Sequence, residues 1–109
     1  MRIGIGGEGG TIDVAVDSVR RAKDGGFTSA WFSNIFGLDG MTACAIAGRE
    51  VPDITLGTFV VPPYSRHPLY MAQQAMTTQA ATGGRFVLGI GLSHQIVIEG
   101  MLGYSFEKP

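Results

Sequence analysis

The feature that most constrains the fold is a regular alternation of short apolar runs with segments of helical periodicity. The apolar runs cover residues 2–6, 27–33 and 54–61, and a fourth begins at residue 85. Their starts lie about 30 residues apart, which is the length of one strand, one crossover helix and their loops. This spacing predicts the order β1-α1-β2-α2-β3-α3-β4, with right-handed crossovers and a parallel sheet.

Start and stop signals support the three predicted helices. Residues 11–23 place apolar side chains on one helical face, and a glycine pair closes the segment. Asp39 is a good N-cap for the second helix. Pro68 suits the first turn of a third helix, which Gly83 and Gly84 end.

Two architectures fit this order of elements. One is a small, open, doubly wound sheet; the other is the N-terminal half of a (β/α)₈ barrel, whose full form needs about 250 residues. No linker or change of composition divides residues 1–109, so they are predicted to form a single unit. Composition and spacing do not separate the two architectures.

A glycine motif near the start suggests a dinucleotide site. Gly4, Gly6 and Gly9 match the pattern G-x-G-x-x-G and precede a helix. However, the alternating pattern of the first strand continues to Ile5, so that strand does not end before the motif. The acidic residue expected after the second strand is also missing, because Ser33 and Asn34 stand there. We therefore expect a flexible loop here rather than a dinucleotide fingerprint.

Charge and composition narrow the classes of partner. The 109 residues carry a net charge of −1 at a pI of about 6.0, which predicts binding to neither nucleic acid nor an anionic membrane. The longest apolar run is far shorter than the roughly 20 residues of a membrane span. With no secretory signal visible and one cysteine, Cys44, the sequence predicts a cytoplasmic protein.

No motif of protein-based catalysis is readable. His67, His94 and Cys44 lie too far apart for the ligand spacing of a metal site, so no metal is predicted. No nucleophile is paired with a base. Any chemistry would then belong to a bound cofactor, which the protein positions.

From the third strand onward the chain resembles the luciferase-like monooxygenase superfamily. The resemblance rests on "LGT" at 56–58, Arg-His-Pro at 66–68, "TGGR" at 82–85 and "LGIGLSHQ" at 88–95, in this order and at the family's spacing. "FGLDGMTACAIAGREVP" and "VIEGMLGYSFEKP" look like the branch that uses coenzyme F420, a hydroxy-deazaflavin. The resemblance covers the whole chain.

The resemblance implies an α/β fold, the N-terminal half of a TIM (β/α)₈ barrel that stops before helix four. It also implies an oxidoreductase in which a hydride passes between coenzyme F420 and an organic small-molecule substrate. The alternative cofactor is FMN, in a monooxygenase. In the family the cofactor ring lies at the C-terminal mouth of the barrel, against a non-proline cis peptide that here would join Phe59 and Val60.

Site residues carry over from the resemblance one by one. The cofactor-binding positions are Asn34, Phe59, Val60, Gly91, Ser93 and His94. His94 is also the predicted catalytic residue, because its imidazole can exchange protons near neutral pH. Many relatives end strand two in Asp-His, where this chain has Asn34 and Ile35, so that acid–base role does not carry over.

Other polar and aromatic residues have structural interpretations. Arg66 could pair with an acidic group of the barrel or bind an anion in the pocket, and the structural role is favoured; His67 is expected to begin the third helix. Trp31 and the side chain of Phe59 are expected to lie in the core.

A half-barrel has consequences for partners. Four parallel strands would leave the barrel interior and two strand edges exposed, which predicts a homo-oligomer formed through those edges. A non-catalytic half-barrel that self-associates is therefore a third interpretation. Because phosphate-binding loops of TIM barrels usually follow strands seven and eight, we expect the chain alone to bind the cofactor weakly or not at all and to turn over negligibly.

Overall fold

The computed structural model describes residues 3–7, 10–34 and 37–91. Within them the elements alternate in the predicted order, and the four strands are parallel, in the sequential order β1-β2-β3-β4. Among these residues no helix is long and apolar enough to cross a bilayer. The elements are β1 (Gly4–Gly6), α1 (Ile12–Asp24), β2 (Ser29–Phe32), α2 (Gly40–Glu50), β3 (Thr55–Thr58), a 3₁₀ turn (Pro63–Ser65), α3 (Pro68–Ala81) and β4 (Phe86–Val87).

Side-chain caps begin the helices at the expected residues. Thr11 and Asp39 accept hydrogen bonds from backbone N–H groups in the first turns of α1 and α2. His67 begins α3, where its Nδ1 accepts from the N–H of Leu69 at 3.1 Å. The helix-start role predicted for His67 is therefore confirmed.

The helices share one face of the sheet. Helix α2 packs between α1 and α3, as it must when parallel strands follow one another in sequence and every crossover has the same hand. A doubly wound sheet reverses its strand order and carries helices on both faces. The sheet is therefore an arc of a barrel, in agreement with the half-barrel prediction.

The position of β1 also decides against the dinucleotide motif. In the described part of the chain, β1 pairs with β2 and forms one edge of the sheet. A dinucleotide-binding sheet instead has its first strand in the centre, between two neighbours.

The core lies between the helices and the sheet. Residues Ala30, Leu56 and Phe86 stand side by side on paired strands and face the helices. The thiol of Cys44 is fully buried and donates to the carbonyl of Gly57 at 3.5 Å. The remaining core members come mostly from α1 and α2: Ala15, Val16, Val19, Ala22, Phe32, Met41, Ala47, Val51, Ile54, Val61 and Met71.

The opposite face of the sheet, which we call the open face, is covered by the side chain of Trp31. Its indole ring lies over Gly57, where an added Cβ would come within 2.3 Å of the ring. The indole N–H donates to Ser29 Oγ at 2.9 Å, and a Cβ on Gly4 would touch both groups. Trp31 is half-buried here, on the barrel-interior side of the sheet rather than in the helix-side core.

The strands are shorter than the apolar runs that predicted them. β4 pairs regularly only over Phe86–Val87, and one isolated bridge joins Val61 to Ile90 further along. The interruption lies at Gly89, whose N–H bonds to a side chain rather than to the neighbouring strand. Sequence periodicity does not register such a replacement of ladder bonds.

Candidate functional site

The carboxyl ends of the strands form one rim, where four of the six predicted cofactor residues lie. The N–H of Phe59 donates to the carbonyl of Phe32 at 2.7 Å, which joins the ends of β2 and β3. The N–H of Val61 donates to the carbonyl of Gly89 at 2.8 Å and joins β3 to β4. Asn34, Val60 and Gly91 lie on the same rim. Ser93 and His94 fall outside the described residues, and their roles stay predictions.

Phe59 and Val60 are joined by a cis peptide bond, as the resemblance implied. The Phe59 side chain is 71% exposed at the carboxyl end of β3. The expectation that it belongs to the core is therefore wrong. Alternation along β3 explains the difference, because Phe59 follows Gly57 on the open face while Thr58 faces the helices.

Thr58 fixes the position of the β4 end of the rim. Its hydroxyl is fully buried, donates to the carbonyl of Gly89 at 3.0 Å and accepts from the N–H of Gly89 at 2.9 Å. One side chain thus satisfies both backbone groups of the residue that interrupts the ladder. The backbone after Val87 is held against β3 by this pair of bonds.

Glycines allow the two strand ends to approach closely. A Cβ on Gly89 would lie 2.0 Å from the carbonyl oxygen of Thr58, and one on Gly91 would lie 2.2 Å from Val60 Cγ2. A side chain at position 89 would require a shift of the β3 backbone, and one at position 91 would displace the Val60 side chain. The rim surface between β3 and β4 therefore consists of backbone and the Val60 side chain, with the exposed Phe59 ring beside it.

Asn34 connects the end of β2 to helix α2. Its Oδ1 accepts from the N–H of Gly40 at 2.5 Å, in the first turn of α2. The carboxamide NH₂ group takes no part in that bond and keeps its capacity to donate. Beside it, a cavity of 290 Å³ opens between the ends of β1 and β2 and is lined by Gly7, Gly10, Phe32, Ser33, Gly37, Leu38, Gly40 and Ala43.

A charged network ties α2 to α3 behind the rim. Arg66 Nη2 donates to Asp39 Oδ1, and Arg66 Nε donates to Gln74 Oε1 at 3.3 Å. Gln74 Nε2 donates to the other carboxylate oxygen of Asp39 at 2.9 Å. The acidic partner predicted for Arg66 is therefore Asp39, which also caps α2. The guanidinium has a structural role here.

The Asp39 network predicts acid sensitivity. Burial raises the pKa of Asp39, but hydrogen bonds from Thr42 and the Arg66 guanidinium outweigh it and hold the pKa below its usual value. A carboxyl whose folded-state pKa is depressed stabilises the fold above its unfolded pKa, and this contribution is lost as pH falls through the folded value. We expect Asp39→Asn to cost about 1–2 kcal/mol at pH 7 and progressively less below about pH 4.

Urea denaturation of both proteins between pH 7 and pH 3 measures this difference. Asp17→Asn is the control, because Asp17 is 67% exposed and pairs with Arg20 three residues away in the same helix. A stability difference for Asp39→Asn that stays constant over the whole pH range would contradict the assignment.

Neither a metal site nor a reactive thiol is found in the described residues. In that part of the chain no three His, Cys, Asp or Glu side chains stand close enough to hold a metal ion. Burial raises the pKa of the Cys44 thiol to about 12, so it stays protonated at neutral pH. The rim is uncharged at Asn34, Phe59, Val60 and Gly91, and suits a site that orients a neutral ring.

Sequence reasoning missed one structural residue, Arg85. Its guanidinium donates to three backbone carbonyls, those of Gly48 at 2.7 Å, Ile54 at 2.8 Å and Val51 at 3.1 Å. The end of α2, the start of β3 and the start of β4 are thereby bonded to one side chain. Arg85 ends the "TGGR" segment, so its place in the motif was the available signal.

Sequence comparisons identify relatives along most of the chain. A Mycobacterium tuberculosis protein that carries the name coenzyme F420-dependent oxidoreductase is 36% identical over 91 residues, which is 84% of this chain and 26% of the relative. The 5,10-methylenetetrahydromethanopterin reductase of Archaeoglobus fulgidus is 33% identical over 97 residues, covering 84% of this chain and 27% of its own length. The chain thus spans about a quarter of the relatives it matches.

Solved structures agree with the fold, and a family model agrees with the sequence. The coenzyme F420-dependent tetrahydromethanopterin reductase of Methanopyrus kandleri superposes with a TM-score of 0.83 at 26% identity, covering 92% of this chain and 29% of the reductase. An FMN-bound monooxygenase of Pseudomonas putida superposes with a TM-score of 0.78 at 20% identity, covering 94% and 32%. The model for luciferase-like monooxygenases matches residues 2–109. The chain belongs to the luciferase-like monooxygenase family.

Proposed function

We propose that the chain forms the first half of the cofactor site of a coenzyme F420-dependent oxidoreductase. The observation that carries the proposal is the rim between β3 and β4, an uncharged surface of backbone and the Val60 side chain that is flanked by the exposed Phe59. Active sites of (β/α)₈ barrels lie at this carboxyl end of the strands. Relatives named for coenzyme F420 are 36% and 26% identical to this chain, and they support this choice of cofactor.

The residues of the rim fit a planar, fused ring. Gly89 and Gly91 add no side chain of their own to the rim, and the Thr58 carbonyl and the Val60 side chain fill the space beside them, so β3 and β4 offer the ring one closely packed surface. Phe59, 71% exposed, offers an apolar surface against which the ring can pack. The Asn34 NH₂ group can donate to a ring oxygen while its own oxygen remains bonded to Gly40.

The cofactor would supply the chemistry, and the chain would supply its positioning. The bound deazaflavin would supply a hydride carrier, and the substrate would be an organic small molecule. The described residues bind and orient the ring and keep water from one of its faces. We further propose that His94, six residues after Leu88, donates a proton to substrate or cofactor.

FMN is the competing cofactor, in a monooxygenase. The FMN-bound Pseudomonas putida enzyme is 20% identical in sequence, and this similarity supports the fold alone. The two cofactors carry similar fused rings, and the described rim holds no charged side chain that would select between them. A direct comparison of binding is the discriminating test.

Binding to half a site should be weak, so the test needs a method that detects weak complexes. We expect millimolar coenzyme F420 to shift the backbone amide NMR signals of Val60, Gly89 and Gly91 in the ¹⁵N-labelled 109-residue chain. FMN should shift them less. Phe59→Ala should abolish these shifts, and Leu69→Ala is the control, because Leu69 is 64% exposed on helix α3 and is not part of a strand end.

Two results would reject the proposal. One is a set of cofactor-dependent shifts that avoids the rim. The other is a Phe59→Ala variant that binds as the parent does.

The proposed role of His94 is tested in the same titration. The NMR signals of the His94 ring should move when the cofactor is added, while those of His67, the exposed cap of α3, stay unchanged. Identical behaviour of both rings would reject the role of His94.

A further inference from the structure

The two edges of the sheet carry few of the features that normally prevent edge pairing. In the described part of the chain, the β1 edge (residues 3–6) and the β4 edge (residues 86–90) carry no charged side chain and no proline. Soluble proteins usually protect edge strands with lysine, proline, bulges or a covering element. The nearest charge, Arg85, is directed to the carbonyls of Gly48, Val51 and Ile54.

Backbone groups point outward from each edge strand. The N–H of Gly7 donates to the carbonyl of Trp31, so Ile5 and Gly7 face β2, while Gly4 and Gly6 face outward. At the other edge, the N–H of Leu56 donates to the carbonyl of Arg85, which turns Phe86 and Leu88 outward. The outward N–H of Phe86 donates to Gln79 Oε1 at 2.9 Å, so strand pairing at this position would replace that bond. The carbonyl of Phe86 points to the same side as its N–H.

Apolar side chains accompany both edges. On the β1 side, Ile3 is 49% exposed and Ile5 39%. On the β4 side, Ile90 is 54% exposed and Met76 of α3 is 73% exposed. A groove of 430 Å³ runs there between α3 and β4, lined by Ala75, Met76, Gln79, Ala80, Phe86 and Leu88.

We infer that these edges pair with a second copy of this chain, with β4 of each copy parallel to β1 of the other. A twofold axis along the barrel then makes both contacts equivalent and leaves neither edge free. Two sets of four parallel strands give eight, the number at which the interior is just filled by side chains. The neutral edges bring no like charges together.

This arrangement also bears on the cofactor site. A closed ring of two copies places two rims around one mouth, so each copy would supply the wall opposite the other's Phe59. Association does not depend on the proposed function, because it rests on the edges alone. The two proposals can be rejected independently, because a mass measurement tests the association and a cofactor titration tests the proposed function.

The test is the mass of the chain in solution. Light scattering during gel filtration should give twice the 11.5 kDa of one chain over a range of loading concentrations. Ile5→Lys should shift the species toward 11.5 kDa by placing a charge at the β1 edge. Val14→Lys is the matched control, because Val14 is also 39% exposed but lies on the outer surface of α1; its mass should stay doubled.

A second variant guards against misfolding of Ile5→Lys. Gly6→Pro removes an outward N–H, and an added Cβ there meets nothing within 4 Å, so it should also give the single-chain mass with an unchanged far-UV spectrum. A parent chain that is monomeric at every concentration would overturn the inference, because its edges would then need the remainder of a longer chain or no partner. Open polymers larger than two copies would also overturn the closed arrangement.

Discussion

Replacing Arg85 with alanine should lower the free energy of unfolding by about 3 kcal/mol. The guanidinium bonds the carbonyls of Gly48, Val51 and Ile54, each within 3.1 Å. Alanine would remove the three charge-assisted hydrogen bonds that these carbonyls accept at the end of α2 and the start of β3. Urea denaturation followed by circular dichroism measures the loss, and in a domain of this size Tm should fall by at least about 10 °C.

Two variants separate this role from a general effect of charge. Arg85→Lys keeps the charge but cannot reach three carbonyls from one rigid plane, so it should recover less than half of the loss. Arg20→Ala removes an arginine that is 50% exposed in its ion pairs with Asp17 and Glu50, and should cost under about 1 kcal/mol. Equal losses in Arg85→Ala and Arg20→Ala would contradict the role given to Arg85.

Replacing Gly89 with alanine should cost about 3 kcal/mol and remove cofactor binding. The new Cβ would lie 2.0 Å from the carbonyl oxygen of Thr58, a backbone atom that cannot move without separating β3 from β4. The Thr58 hydroxyl would lose its two bonds to Gly89 as the strands part. Chemical denaturation gives the stability, and the amide shifts described above report on the rim.

The control is the same substitution on another strand. Gly6→Ala adds a Cβ to β1 that meets nothing within 4 Å, so its stability should change by less than about 1 kcal/mol. A Gly89→Ala protein as stable as Gly6→Ala, with its rim shifts intact, would show that β3 and β4 do not approach each other as described.

Local signals were sufficient for the order of elements. Asp39 and Pro68 begin α2 and α3, and the glycine pair at 83 and 84 ends α3 with φ of 64° and 87°. These signals act within one helical turn, which makes them readable from the chain alone. The choice between an open sheet and a barrel arc needed the resemblance, because strand order depends on how distant segments pack.

The site was predictable only in part, for the same reason. Asn34, Phe59, Val60 and Gly91 were named from the family pattern, and the structure brings them to one rim. The role of Arg85 was not predictable, since its three hydrogen-bond partners lie 31 to 37 residues earlier in the chain. The exposure of Phe59 follows from the phase of β3, which an apolar run with no alternation does not reveal.

The barrel arc requires the three helices to share one face of the sheet and to leave Trp31 on the other. Nuclear Overhauser contacts from the single tryptophan ring test this directly. The structure predicts contacts to the α-protons of Gly4 and Gly57, over which the indole lies. Contacts from the ring to Ala43 or Ala47 of α2 instead would place a helix on the Trp31 face and contradict the barrel arc.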